Sequence, residues 1–186
     1  TYAQTEKALE EGAKQITHTY NAQSPFGHRE VGVVGSALLL DGYTCEIICD
    51  CIHVSVPALK LLVKNKPHDK VVCITDAMRA KNMGDCVSEL GGQTVYVKGG
   101  EARLADGTLA GSVLTMNRAV KNMVERVGVS LCEASDFASA NPAKNLGIYN
   151  ERGGIAVGKR ADFAVLDKND FSVIMTVRGG KIVYKK

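Results

Sequence analysis

At 186 residues, with 45% hydrophobic and 23% charged side chains, the chain is long enough to bury one good core with room for a small second lobe, which marks it as globular. The 23 basic and 20 acidic residues leave a formal charge of +3, and the basic residues are scattered rather than striped along one element, which excludes a nucleic-acid groove as the working hypothesis. No apolar run approaches the roughly 20 residues that span a bilayer, and the N-terminus lacks the layout of a signal peptide, so no membrane partner is expected and the expected compartment is the cytoplasm.

Along the chain, Tyr2 to Lys14 carries Ala3, Ala8 and Leu9 among Glu, Lys and Gln, a helical pattern that Gly12 ends. A short strand follows from Gln15 to His18. Val31 to Leu40 reads as a second helix closed by Asp41 and Gly42, Thr44 to Cys49 as a buried strand, and Pro57 opens a helix running through Val63. "VVCIT", Val71 to Thr75, is the next strand. This cycling of buried apolar strand and amphipathic helix predicts a parallel sheet covered by helices.

After Asp76 the rhythm changes. "GGQTVYVKGGEARLADGTLAGS" holds two alternating runs separated by Gly99 and Gly100, then an Asp106–Gly107 turn, which predicts a hairpin insertion over about 92–108. Val113, Met116, Val120, Met123, Val124 and Val127 recur at helical spacing, and Ser130 with Glu133 forms a capping box for the next helix. From Gly153 onward the pattern reads as strand throughout, with turns at Lys168 to Asp170 and at Gly179–Gly180. There is no internal repeat. Residues 1–152 are therefore expected to form an α/β part and 153–186 an appended β-lobe. The six cysteines, Cys45, Cys49, Cys51, Cys73, Cys86 and Cys132, lie mostly inside apolar strand-like segments without a framework spacing, as suits reduced thiols packed as small hydrophobes.

Three candidate catalytic groups, His18, His53 and Asp76, fall at the C-terminal ends of predicted strands, the rim where α/β folds concentrate ligands and catalysis. Imidazole is a common neutral metal ligand, and a carboxylate beside a metal-bound water can act as a general base, so the combination points to metal-assisted hydrolysis. Each group also has a structural reading. His18 can be an ordinary structural histidine, and Asp76 the cap of the following segment, since Asp is a favoured N-cap residue. Arg29 can be a solvated neighbour of His28. The glycine of "LAGS" can tighten a turn. His53 with Cys49 and Cys51 can belong to a thiolate zinc site.

The linear order of "THTYNAQSPFGHREVGVVG", "EIICDCIHV", "CITDAM", "DGTLAGSVLTMNRAVKNMVE", "NPAKNLGI" and "GGIAVGKRADFAVLD" closely resembles the second half of the N-acetylglucosamine-6-phosphate deacetylase family, within the amidohydrolase superfamily. The resemblance runs from Thr1 to about Lys186. It implies a fold in which this chain is a partial (β/α)8 TIM barrel, the last strands and helices only, with the C-terminal strands of a small β-sandwich lobe. It also implies removal of the acetyl group from N-acetylglucosamine 6-phosphate, giving glucosamine 6-phosphate and acetate, in amino-sugar catabolism.

Residue by residue, the resemblance implies that His18 is the metal-binding histidine of a T-H-x-x-N-A motif, with Asn21 and Ala22 as substrate contacts. It makes Arg29 a clamp on the sugar phosphate that reaches into the neighbouring subunit's site in a homodimer. Asp50, Cys51, Ile52 and His53 match a substrate-binding D-G-x-H segment, Asp76 the catalytic aspartate, and Leu109, Ala110 and Gly111 a loop lying against the sugar. The implied cofactor is a divalent metal, zinc first, with iron, manganese or cobalt as the other candidates. In the implied mechanism the metal activates a water for attack on the acetyl carbonyl, and Asp76 passes a proton to the departing amine.

Cys51 stands where the family usually has glycine and Gln23 where it usually has methionine, and either is expected to narrow the sugar pocket. A metal-binding glutamate and a second metal-binding histidine of the family lie outside these residues. The chain is accordingly expected to be inactive without the N-terminal half, to leave a sheet edge and apolar surface bare, and to associate with that half or with itself. Two other functions fit the same residues: a non-catalytic sugar-phosphate binding or scaffold module, and a superfamily hydrolase acting on cyclic amides.

Overall fold

The structure, a computed structural model, describes all 186 residues. Helix α1 (Tyr2–Glu10) opens on a capping box in which the Thr1 side chain accepts the Gln4 N–H and the Gln4 side chain reaches back to Thr1. Strand β1 (Gln15–Ile16), helix α2 (Gly32–Leu39), strand β2 (Thr44–Ile48), helix α3 (Val56–Asn65) and strand β3 (Val71–Ile74) follow. The three strands pair in parallel in the order β1-β2-β3, with Cys45 opposite Val71 and Ile47 opposite Cys73. β1 is shorter than its sequence predicts because the backbone leaves the strand region at His18, which sits at φ 34.

Helix α4 (Met116–Asn122) runs into a wider π-type turn over Met123–Val127, and α5 (Leu131–Ser135) continues through a second such turn into α6 (Asn141–Asn145). The Ser130–Glu133 capping box is formed in both directions. Helices and sheet close over one core in which Ile47, Leu59, Leu62, Val71, Met123 and Phe137 are almost entirely removed from water. Strand alternation puts Cys45 and Ile47 on one face and Glu46 and Ile48 on the other.

The insertion is larger than the predicted hairpin. Strand β4 (Cys86–Leu90) precedes β5 (Gln93–Lys98) and β6 (Glu101–Arg103) in an antiparallel three-stranded sheet. It has its own small core of Met78, Ala80, Val95, Val97, Ala102 and Ala110. The tail also differs from its prediction. Residues 153–162 form no strand, and β7 (Phe163–Leu166), β8 (Val173–Arg178) and β9 (Lys181–Lys185) make a single antiparallel sheet. The fold is thus mixed α/β with three sheets of three strands each. All six cysteines are free, and no helix is long and apolar enough to cross a membrane.

Candidate active site at the strand ends

His18, the Asp50–His53 turn and Asp76 each follow one of three neighbouring parallel strands, so all of them lie at the same end of the sheet. Five of the seven non-glycine residues with positive φ are here: His18, Tyr20, Ala22, Cys51 and Asp76. Such backbone costs on the order of 1–3 kcal/mol per residue and persists only where the surroundings enforce it, which makes this end of the sheet the prime candidate for a functional site.

The enforcing contacts after β1 can be named. Thr19 is fully buried, its N–H donates to the Glu46 carbonyl (2.7 Å), and its hydroxyl donates to the Ile16 carbonyl. The Tyr20 hydroxyl donates to the Ala58 carbonyl at 2.9 Å, and burial pushes its pKa up to about 12. The Asn21 amide leans back over its own turn, 3.4 Å from the His18 and Thr19 carbonyls. The Gln23 amide is engaged with its own loop, its carbonyl accepting the Tyr20 N–H and its NH₂ donating to the Thr17 carbonyl. Further along, Ser24 accepts the Val33 N–H, and Glu30 accepts the N–H groups of Tyr2 and Gly32. Gly32 is at φ +60, and an added Cβ would lie 2.6 Å from the Pro25 and Ser24 carbonyl oxygens, so only glycine closes the loop that carries exposed Arg29.

After β2 the chain makes a tight turn on Asp50. Asp50 Oδ1 accepts the N–H groups of Ile52 and His53, both at 2.9 Å, and Oδ2 lies 2.6 Å from His53 Nδ1. The two side chains are only 8% and 9% exposed. Burial pulls the Asp50 carboxyl pKa up, but the hydrogen bonds from the His53 ring and from the Ile52 and His53 N–H groups outweigh it and hold the group below its ordinary range. Cys51 takes the left-handed position of the turn, at φ 63. The thiolate zinc reading does not survive this geometry: Cys49 Sγ lies 3.4 Å from Cys73 Sγ and donates to the Ile47 carbonyl, while His53 faces Asp50.

After β3, Asp76 is exposed and no helix follows it, so it is not a helix cap. The loop through Leu109, Ala110 and Gly111 is tied directly to it. Ser112 N–H donates to the Asp76 carbonyl, Met78 N–H donates to the Ser112 carbonyl, and the Ser112 hydroxyl bonds to the Thr75 carbonyl. Gly111 sits at φ +66, and a Cβ there would stand 3.5 Å from the Asp76 carbonyl oxygen.

Sequence reasoning passed over three supporting residues. Glu46 interrupts the apolar run of β2; burial raises its carboxyl pKa, His18 lowers it and Asp76 raises it, so one carboxylate on the central strand feels both candidate residues. Asn122 donates from α4 to the Cys49 carbonyl at 2.8 Å. Ser112 is buried beneath the strand-end loop. A lone charge in an apolar strand and an asparagine beside helical core positions were the available signals. As for a metal, His18 Nδ1 is buried with no hydrogen-bond partner, which fits a ligand atom. No group of three or more His, Cys, Asp and Glu side chains gathers to hold an ion.

The amidohydrolase family model matches residues 1–183. The chain is 46% identical over 177 residues to N-acetylglucosamine-6-phosphate deacetylase of Bacillus subtilis (strain 168), covering 95% of this chain and 44% of that protein. It is 42% identical over 150 residues to a putative N-acetylgalactosamine-6-phosphate deacetylase of Escherichia coli (strain K12), covering 81% of this chain and 89% of that one. The crystal structure of N-acetylglucosamine-6-phosphate deacetylase from Thermotoga maritima superposes on all of this chain with a TM-score of 0.93 at 41% identity, using 51% of the Thermotoga chain. The chain thus spans about half the length of the first curated relatives it matches, 44% and 46% of the two.

Proposed function

Since the chain belongs to the amidohydrolase family, we propose that it supplies the C-terminal half of an N-acetylglucosamine-6-phosphate deacetylase, cleaving the acetamide to glucosamine 6-phosphate and acetate. The observation that carries this reading is the gathering of His18, the Asp50–His53 turn and Asp76 after three adjacent parallel strands, with the 109–111 loop bonded to the last of them. Its architectural counterpart is a (β/α)8 barrel of which residues 1–152 are the last part, with 153–186 contributing strands to a β-sandwich lobe. The working compartment is the cytoplasm, in keeping with six free thiols.

In this reading His18 offers one ligand to a divalent ion, zinc first, and the remaining ligands come from outside these 186 residues. Asp76, exposed at its strand end, takes a proton from the attacking water and delivers it to the amide nitrogen as the carbon–nitrogen bond breaks, because an amine leaves readily only when protonated. Asn21, Ala22, Leu109, Ala110 and Gly111 line the sugar. Cys51, Ile52 and His53 meet the substrate from the β2 turn. Arg29 reaches the phosphate in a second subunit's site. An apolar groove beside it, lined by Tyr20, Phe26, Val31, Leu38, Leu39 and Leu61, leaves Phe26 62% and Leu39 64% exposed, which supports a homodimer through that face.

The test is complementation. The chain alone should release no acetate from N-acetylglucosamine 6-phosphate. Mixed with the N-terminal half of the Bacillus subtilis relative it should do so, and Asp76→Asn in the mixture should cost about 10²–10⁴-fold in rate. Running the 4-epimer, N-acetylgalactosamine 6-phosphate, in parallel decides the sugar. A folded, metal-loaded mixture inactive on both sugars overturns the reading.

A further inference from the structure

We propose that Asp50 and Asn122 are positioning residues that fix the ring of His53 with its proton on Nδ1, so that Nε2 is the only ring nitrogen offered to a ligand. The proposal rests on the deacetylase reading only for what that ligand is. Asp50 matches a substrate-binding segment by sequence, yet its carboxylate is engaged within its own turn: Oδ1 takes two backbone N–H groups and Oδ2 faces His53 Nδ1 at 2.6 Å. An ionised carboxylate only accepts, so the nitrogen facing it must carry the hydrogen, and the tautomer follows.

The turn needs an external brace. Cys51 at φ 63 holds it in a backbone region that an L-residue leaves readily. Behind the turn lies a cleft of about 630 Å³ whose lining includes Asp50, Ile52, Asn117 and Asn122, so close packing does not hold it from that side. What does hold it is the Asn122 side chain, donating to the carbonyl of Cys49, the residue immediately before Asp50. Helix α4 is itself anchored one turn earlier, where Asn117 donates to the Phe171 carbonyl at 2.9 Å. The brace therefore runs from the turn between β7 and β8, through α4, to the imidazole.

The decisive variant is Asp50→Asn. The position of Oδ1 must still accept two N–H groups, so the amide oxygen goes there and the amide NH₂ turns toward His53 Nδ1, which can then only accept. The chain holds four histidines, so long-range ¹⁵N–¹H correlation spectra of the imidazole-labelled 186-residue chain resolve His53 by comparison with His53→Gln. Unaltered protein should have Nδ1 protonated. Asp50→Asn should move the proton to Nε2, and Asn122→Ala should collapse the pattern toward the average of the two tautomers, with His18, His28 and His68 unmoved in both. In the complemented enzyme Asp50→Asn should raise KM about tenfold, the low end of the roughly 10–100-fold cost of removing the group that orients a ligating imidazole, while kcat changes less than about threefold because His53 binds substrate and transfers no proton. Finding Nδ1 unprotonated in the unaltered chain, or still protonated in Asp50→Asn, overturns the proposal. These spectra need no turnover, so a mixture that released no acetate would count against the deacetylase reading alone.

Discussion

At the scale of single residues the site is a set of strained positions, and strain can be measured. Cys51 occupies a left-handed turn position in which a Cβ is tolerated and a branched one is not. Cys51→Val should therefore cost about 1–2 kcal/mol in urea denaturation, whereas Cys51→Gly should gain up to about 1 kcal/mol, less whatever glycine loses to the freedom of its unfolded chain. Equal effects of the two would mean that the turn relaxes when Cys51 is replaced. Glu46 is a second case, with a sign that can be worked out. Burial raises its carboxyl pKa in the folded chain. A carboxyl raised on folding stabilises while protonated and loses that contribution as pH climbs through its unfolded value, roughly 4.3, toward the folded one. At pH 7 it is therefore a net cost. Glu46→Gln, which keeps an acceptor for the Gln15 amide, should raise the melting temperature at pH 7, and the gain should vanish below about pH 4. A gain that persists at pH 3 would refute the ionisation argument.

Elements were legible in the sequence in proportion to how much of their burial is local. The β2 and β3 strands and helices α2 and α3 are apolar runs bounded by Gly, Asp and Pro, and their patterns predict them within a residue or two. Strand β4 was missed because Ser88 and Glu89 break the apolar alternation, although Cys86, Ser88 and Leu90 share the inner face of the insertion. Residues 153–162 erred the other way. Ile155 and Val157 alternate like a strand but are 88% and 107% exposed, with no partner strand among these residues. Alternation reports a face to be buried, and what buries it is not written in the segment. The candidate site divides similarly: His18, His53 and Asp76 were readable at strand ends, whereas Asn122 shows in the sequence only as an asparagine beside helical core positions, and its partner, Cys49, 73 positions away, is given by the fold alone. The junction of β3 with the insertion gives the test at this scale. Ser112 is 2% exposed, bonds to the Thr75 carbonyl and accepts the Leu114 N–H. Ser112→Ala leaves the buried Leu114 N–H short of an acceptor and the half-buried Thr75 carbonyl short of a donor, and should cost about 1–2 kcal/mol. Because the same hydroxyl ties the residue following the 109–111 loop to Thr75, the residue before Asp76, KM in the complemented enzyme should rise with it. A stability loss with KM unchanged would separate the loop from substrate binding.

For the whole molecule the governing fact is an open sheet. β1 and β3 each pair only with β2, so both outer edges of the parallel sheet lack a strand neighbour. Parallel sheets are ordinarily buried on both faces and closed or covered at their edges, since bare N–H and C=O groups recruit other chains. Apolar surface accompanies those edges. Leu146 is 70% exposed, and a cleft of about 850 Å³ runs between α5–α6 and the β7–β8 face, lined by Leu146, Tyr149, Ile155, Phe163 and Val177. Patches of this kind on a monomer drive association. In dilute buffer the chain should therefore be a concentration-dependent oligomer by light scattering. Adding the N-terminal half of the Bacillus subtilis relative should replace that distribution with a defined complex and raise the melting temperature. A ligand that binds only the folded state stabilises by RT ln(1 + [L]/Kd), about 2.7 kcal/mol at a hundredfold excess over Kd, so the melting temperature should climb with the concentration of added half and level off only logarithmically. A chain that stays a monodisperse monomer up to about 100 μM, with a melting temperature indifferent to the added half, would mean that these edges are satisfied within the chain itself; the deacetylase reading would then have to be carried by 186 residues that gather no group of three metal ligands.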